Sequence, residues 1–260
     1  WGTAGAWAAR RVADGHEAPY PVALLEVGNE PYLGLPVGPE RSCERDAPFR
    51  QCERWVAGRA VPTTAVLYAA ALRATSALVR EIAPGLRIGA AAAGGLFEHE
   101  DARREVGAAD AEAGTHDPWN LRLLADAGDA FDLWVAHPYV IEPTDARLRL
   151  GARVAKCLGE LRALDARPVA VTEYGFMFGG DTVRNAVASV DAVRAAAEHG
   201  AAFALRHLLI EDDPGGPFAT SALVLGPDRR RTPAWHATRL LAETLGGRRV
   251  PVEGALACRD

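Results

Sequence analysis

Two glutamates stand at the ends of short apolar segments, where packing alone gives no reason for a charged side chain. Asn29 and Glu30 follow the segment Val22–Val27 after a single glycine, and Glu173 follows Pro168–Thr172. A pair of carboxyl groups can carry acid–base and nucleophilic chemistry when one is protonated and the other is ionised. Both glutamates are therefore candidate catalytic residues.

Other polar side chains follow a third apolar segment. His137 and Tyr139 stand at and just beyond the end of Phe131–His137, and Tyr174 directly follows Glu173. We expect Tyr139 to donate a hydrogen bond to Glu173, which would keep that carboxylate ionised and oriented. We expect His137, Tyr139 and Tyr174 to contact substrate. An alternative for the histidine and for Tyr139 is a hydrogen-bonded place in the core.

The last apolar segment, Ala202–Ile210, also ends in polar residues. His207 and Glu211 lie there and are further candidates for substrate contact. Glu26 lies inside the first segment rather than at its end. We interpret Glu26 as structural, pointing into the barrel or pairing with an arginine.

Two carboxyl groups at neighbouring strand ends are what glycoside hydrolysis requires. One carboxyl group protonates the leaving oxygen, and the other attacks the anomeric carbon or activates a water. The amide of Asn29 is suited to holding a sugar hydroxyl. The chemistry indicated is that of a glycosidase acting on an oligosaccharide or polysaccharide, without a cofactor or metal.

The elements that position these residues alternate between strand and helix. Apolar runs bounded by Pro and Gly predict five strands: Val22–Val27, Leu86–Ala93, Phe131–His137, Pro168–Thr172 and Ala202–Ile210. Helical spacing with Pro near starts and Gly near ends predicts six helices: Ala4–Val12, Thr63–Ala83, Pro118–Asp126, Leu148–Leu164, Val183–His199 and Thr232–Leu245.

This alternation predicts an α/β fold with a parallel sheet and crossover helices. No GxGxxG follows the first strand, which argues against a dinucleotide-binding sheet. Five units are too few for an eight-stranded barrel, so the pattern fits strands four to eight of a (β/α)8 TIM barrel. We expect residues 1–247 to be the C-terminal portion of that barrel and 248–260 to begin a β-rich accessory domain.

Composition excludes some classes of partner. The 260 residues carry a net charge of −5, and the arginines are spread among acids, so there is no basic field to attract nucleic acid. No apolar run approaches the roughly 20 residues that span a bilayer. The oligomeric state is not indicated.

The cysteines bear on the compartment. Cys43 and Cys52 lie close together in one polar segment, and the spacing of the four cysteines fits no zinc site. One hypothesis is a loop disulfide, which would favour a secreted or extracytoplasmic location. The alternative is two free thiols in an intracellular protein.

The strand ends resemble those of a known clan. The stretches L-L-E-V-G-N-E-P, A-H-P-Y and V-T-E-Y-G resemble clan A of the glycoside hydrolases, the retaining TIM-barrel enzymes. Within it, the segment from Pro19 to Tyr32 and the helix that begins R-T-P-A-W-H are most similar to family 51 arabinofuranosidases and family 39 xylosidases. The eighth strand lacks the Trp that several clan families place there.

The resemblance implies roles for particular residues. Asn29-Glu30 matches the pair that ends strand four, which makes Glu30 the acid/base. Glu173 matches the nucleophile that ends strand seven, and His137 and Tyr139 match the clan's His-x-Tyr at strand six. The implied activity is cleavage of a terminal arabinofuranoside or xyloside. The alternatives are a different sugar, such as a glucuronide, glucan or exopolysaccharide, and a non-catalytic carbohydrate-binding barrel.

Overall fold

The structure is a computed structural model. It describes residues 4–31, 54–56, 59–61, 65–93, 119–140, 149–176, 182–215, 219 and 221–244. The predicted disulfide Cys43–Cys52 and the predicted accessory segment 248–260 lie outside these residues, and both stay predictions.

Helices and strands alternate as the sequence pattern predicts. The described helices are α1 (Ala6–Ala13), α2 (Ala65–Ile82), α3 (Trp119–Ala127), α4 (Leu150–Leu164), α5 (Val183–Glu198) and α6 (Pro233–Thr244). The strands of the main sheet are β1 (Leu24–Val27), β4 (Arg87–Ala91), β5 (Leu133–Ala136), β6 (Tyr139–Val140), β7 (Val169–Phe176) and β8 (Ala204–Arg206). Small sheets are formed by β2 (Arg54–Val56) with β3 (Arg59–Val61), and by β9 (Ile210–Glu211), β10 (Val224–Leu225) and β11 (Arg230–Arg231).

The main sheet is a parallel half-barrel. Its strands run in the order β1-β4-β5-β7-β8, every one of these pairs is parallel, and the sheet curls with helices flanking it. Parallel neighbours in chain order require crossover connections, which the intervening helices supply. The predicted fold, five consecutive strands of a TIM barrel, is confirmed.

The core lies between the sheet and its helices and is built on a few large side chains among many alanines. Trp134, Tyr68 and Phe176 are fully buried, and the alanines of β4, α3 and α5 pack around them. Small side chains allow helix and sheet to approach closely, so each large ring fills a space that no neighbour can fill. Truncating such a ring costs about 3–5 kcal/mol of folding free energy.

Two aromatic side chains pin the carboxyl ends of β1 and β4. The Tyr68 hydroxyl donates to the Val27 carbonyl at 2.6 Å and accepts from the Ala91 amide at 2.8 Å. The Trp119 indole donates to the Ala91 carbonyl at 3.0 Å. Helix side chains thus satisfy the hydrogen bonds of the backbone groups at these strand ends. These bonds hold in place the edge of the sheet from which the chain continues to Glu30.

β7 is longer than the sequence predicts. The apolar run suggested that it ends at Thr172, but the strand continues to Phe176, because β6 pairs with it at Gly175 and Phe176. The Ser221 hydroxyl also bonds both the amide and the carbonyl of Phe176, at 2.5 and 2.7 Å. Glu173 therefore lies within a strand rather than beyond it.

In the described part of the chain, no helix has the length and apolar character needed to cross a bilayer.

Candidate active site

Glu30 is presented by a tight turn at the end of β1. Gly28 has a φ of 81° and Glu30 a φ of 44°, both in the left-handed region. Glycine adopts this conformation without steric cost, whereas a residue with a Cβ seldom does. The turn brings the Glu30 side chain, which is 14% exposed, over the sheet beside His137.

Glu173 reaches the same place from β7. Its carboxylate Oε2 accepts a hydrogen bond of 2.6 Å from the Tyr139 hydroxyl and lies 3.8 Å from His137 Nδ1. Burial raises the pKa of Tyr139 far above its ordinary value, and the charge of Glu173 and the bond to it act in the same direction. The phenol therefore stays protonated and remains a donor to the carboxylate.

His137 is the centre of the cluster. Its Nδ1 lies 3.0 Å from Glu30 Oε1, and its Nε2 lies 3.1 Å from Glu26 Oε1 and 2.9 Å from Thr172 Oγ1. Burial opposes charge on the ring, but the bonds to Glu26 and Glu30 and the nearby charge of Glu173 outweigh it and raise the pKa of His137 to about 10. The ring is therefore an imidazolium at neutral pH.

The two candidate carboxyl groups are close. One atom each of Glu30, His137 and Glu173 can be chosen so that all three lie within 4.8 Å of one another. Such a set offers metal-ligand atom types. In this arrangement, both nitrogens of His137 face oxygens at hydrogen-bonding distance. The ring is thus held by hydrogen bonds within the cluster.

An irregularity in β7 helps to gather these groups. Consecutive side chains of a strand ordinarily point to opposite faces, yet Thr172 and Glu173 both approach the ring of His137. The pairing of β7 with β8 shifts register between Val171 and Tyr174. Such irregularities re-aim side chains and are common beside active sites.

The other predicted substrate-binding residues divide into two groups. Asn29 is exposed beside Glu30. The ring of His207 lies edge-on to Tyr139, with centroids 5.9 Å apart. These two residues lie next to the cluster, and their contacts with substrate stay predictions.

Tyr174 and Glu211 are placed differently. Tyr174 is 4% exposed within the hydrophobic core, and its hydroxyl lies beside the guanidinium of Arg206. This is a structural place and does not support the predicted substrate contact. Glu211 lies in the small sheet of β9, β10 and β11, where its carboxylate accepts from the Asp213 amide at 3.1 Å. This hydrogen bond is to a residue two positions along the chain, so it gives no support to the predicted contact of Glu211 with substrate.

Sequence reasoning assigned Thr172 and Arg206 no role at the site and did not name His137 as the partner of Glu26. Glu26 bonds to His137 and not to an arginine. Thr172 bonds to the same ring nitrogen. Arg206 lies behind Tyr139 and Tyr174, donating from Nε to the Ser221 carbonyl at 2.7 Å and from Nη1 to the Ser189 hydroxyl. A signal existed for Glu26, because a charged residue in an otherwise apolar strand requires a partner.

Comparisons with solved structures show the fold. The chain superposes on part of a family 51 α-L-arabinofuranosidase from Xanthomonas axonopodis pv. citri, with a TM-score of 0.57 and 15% identity. For the Bifidobacterium longum family 51 enzyme the TM-score is 0.56 at 15% identity, and for the Thermotoga maritima α-L-arabinofuranosidase in its arabinose complex it is 0.55 at 16% identity. The fold implied by the sequence resemblance is thus confirmed.

The match covers nearly all of this chain but less than half of each neighbour. The shares are 91% of this chain and 46% of the Xanthomonas protein, 92% and 47% for Bifidobacterium, and 91% and 43% for Thermotoga. No protein-family model matches the chain, and no curated protein matches it in sequence.

Proposed function

We propose that this chain supplies the catalytic carboxyl pair of a retaining glycoside hydrolase, with Glu30 as acid/base and Glu173 as nucleophile. The observation that carries the proposal is the closeness of the two side chains, which have oxygens within 4.8 Å of each other. Retaining enzymes hold their carboxyl groups about 5–5.5 Å apart, whereas inverting enzymes need about 6.5–9.5 Å to admit a water.

The first step is glycosylation of Glu173. The protonated Glu30 gives its proton to the leaving oxygen while a Glu173 carboxylate oxygen attacks the anomeric carbon, so the glycosidic bond breaks as an ester forms. Tyr139 donates to Oε2 of Glu173. This bond stabilises the ionised nucleophile and orients it for attack.

In the second step, Glu30 acts as a base instead of an acid. As a carboxylate it takes a proton from water, whose oxygen attacks the anomeric carbon and releases Glu173. Two substitutions at the same carbon restore the original configuration. The Nδ1–H of His137 at Oε1 of Glu30 favours placing the transferred proton on the other carboxyl oxygen, Oε2.

A terminal arabinofuranoside or xyloside is the favoured substrate. The support is the motif resemblance around Glu30 together with the shared fold of family 51 arabinofuranosidases, one of them solved with arabinose. The exposed Asn29 beside the acid/base is suited to holding a hydroxyl of that sugar.

A screen of the full-length protein against nitrophenyl glycosides tests the proposal. We expect hydrolysis of an α-L-arabinofuranoside or a β-D-xyloside, with the first-formed product retaining its configuration by proton NMR. Activity on a glucuronide or glucan alone would keep the chemistry and replace the sugar. A first product of inverted configuration would contradict the nucleophile role of Glu173, and binding without turnover of any glycoside would indicate a non-catalytic barrel.

A further inference from the structure

Glu26 is a third carboxylate beneath the catalytic pair. On β1 its neighbours Leu25 and Val27 pack with the hydrophobic core. Because strand side chains alternate between faces, Glu26 projects from the opposite, concave face of the half-barrel. Its side chain is 24% exposed, and its Oε1 lies 3.1 Å from His137 Nε2. Glu26 therefore contacts the cluster from below, through the histidine.

When Glu26 and Glu30 are both ionised, the geometry around His137 favours protons on both ring nitrogens. Nδ1 faces Oε1 of Glu30 and Nε2 faces Oε1 of Glu26. A neutral imidazole has one N–H and one lone pair, so one nitrogen would direct its lone pair at a carboxylate. Thr172 can accept a share of the Nε2–H bond or donate to a bare Nε2, but it carries no charge. Only the doubly protonated ring is attracted on both sides.

We propose that Glu26 is a positioning residue that holds His137 as an imidazolium between itself and Glu30. The effect of Glu26 on catalysis rests on the proposed function of Glu30 and Glu173. Its effect on the protonation of His137 does not. The contact of Glu26 is with the His137 ring, and Glu26 acts through that ring.

The groups that face His137 determine what this arrangement does. Glu26 and Glu30 approach from β1 and its following turn, and Glu173 and Thr172 approach from β7. The charge of Glu26 cancels that of the imidazolium, which leaves Glu30 and Glu173 as two like charges at close range. Without Glu26, the uncancelled charge of the imidazolium would act on both of these carboxyl groups.

The decisive measurement is the protonation of His137 by 15N NMR of histidine-labelled, full-length protein across pH. The His137→Gln variant assigns the signal. In the wild type we expect both ring nitrogens to stay protonated well above pH 8. In Glu26→Gln, which keeps size and loses charge, we expect the ring to lose its proton at a pH lower by about one unit or more. An unchanged titration in Glu26→Gln would overturn the proposal.

Thr172→Val gives a second test at the same nitrogen. This variant removes the neutral partner, so it is expected to titrate as the wild type does. A shift as large as that of Glu26→Gln would show that charge is not the cause and would also overturn the proposal. Glu243→Gln, on the exposed face of α6, is the matched surface control and should leave the titration unchanged.

The pH dependence of activity tests whether the charge of the His137 ring affects catalysis. In Glu26→Gln we expect the alkaline limb of the kcat/KM profile to move to lower pH with KM nearly unchanged, since the imidazolium, still protonated at that pH and no longer cancelled by Glu26, stabilises the ionised form of the acid. Glu26→Asp should restore the wild-type limb at least in part. An alkaline limb that does not move in Glu26→Gln would contradict the inference. A protein that hydrolyses no glycoside would refute the proposed function but leave the NMR result to decide the role of Glu26.

Discussion

The Tyr139 hydroxyl donates a 2.6 Å hydrogen bond to Oε2 of Glu173, and this bond joins the strand that follows β5 to the middle of β7. β6 and β7 also pair in parallel, with Tyr139 opposite Gly175. The phenol is therefore held by the sheet itself, and the donor meets the carboxylate without a flexible connection. Preorganised donors of this kind need no rearrangement when charge on the carboxylate changes.

Tyr139→Phe should reduce kcat/KM by about 10- to 100-fold, since a hydrogen bond to a charged group contributes about 1.5–3 kcal/mol. The loss arises because Glu173 loses a donor while its surroundings stay in place. Steady-state kinetics on a nitrophenyl glycoside measure it. Tyr20→Phe, at an exposed tyrosine, is the control, and equal effects of the two variants would contradict the role of Tyr139.

Glu173→Ala should lower kcat by roughly 10⁴-fold or more, the scale on which removal of a nucleophile acts. Added azide should restore part of the turnover and give a glycosyl azide of inverted configuration, because azide fills the space of the missing carboxylate and displaces the leaving group once. Product configuration by NMR checks this. An azide product of retained configuration would exclude Glu173 as the nucleophile.

Glu30→Ala should discriminate between leaving groups. Proton donation contributes about 10²–10⁴-fold, so we expect a loss of that size for natural glycosides. For substrates with a nitrophenyl leaving group, which departs without a proton, we expect a much smaller loss in the first step. A pre-steady-state comparison of both substrates measures it, and equal losses would show that Glu30 is not the acid.

The free energy of unfolding should fall as pH rises from about 6.5 to about 10, because the folded protein holds a proton on His137. Folding raises the pKa of this ring from 6.5 to about 10 through the bonds to Glu26 and Glu30, which outweigh burial. The folded state thus holds a proton that the unfolded state releases above pH 6.5. The stabilisation is complete below pH 6.5 and is lost as pH approaches 10, on the order of a few kcal/mol in all.

Urea unfolding at pH 6, 8 and 10 measures this dependence. His137→Gln should remove most of the slope, whereas His199→Gln, at the exposed carboxyl end of α5, should retain it. A wild-type free energy of unfolding that is level from pH 6 to pH 9 would contradict the assignment of an imidazolium to His137.

The order of elements and the identity of the central side chains could be read from the sequence. Apolar runs bounded by Pro and Gly gave all five strands of the half-barrel, and helical spacing gave all six described helices, with ends shifted by a few residues. Glu30, Glu173, His137 and Tyr139 could be selected because polar groups at the ends of parallel strands meet at one edge of a sheet. These features depend on local patterns and on a general rule of topology.

The partners of those side chains depended on tertiary structure. Glu26 and His137 are 111 positions apart, and only the curl of the sheet brings them together across the concave face. The length of β7 was set by pairing with β6 and by the bonds of Ser221, and Tyr174 lies buried in that added part of the strand. Sequence patterns report which residues are apolar and where segments end. Strand register and contacts between residues far apart in the chain decide on which face of the sheet a polar side chain lies. They also decide which charged groups lie next to it.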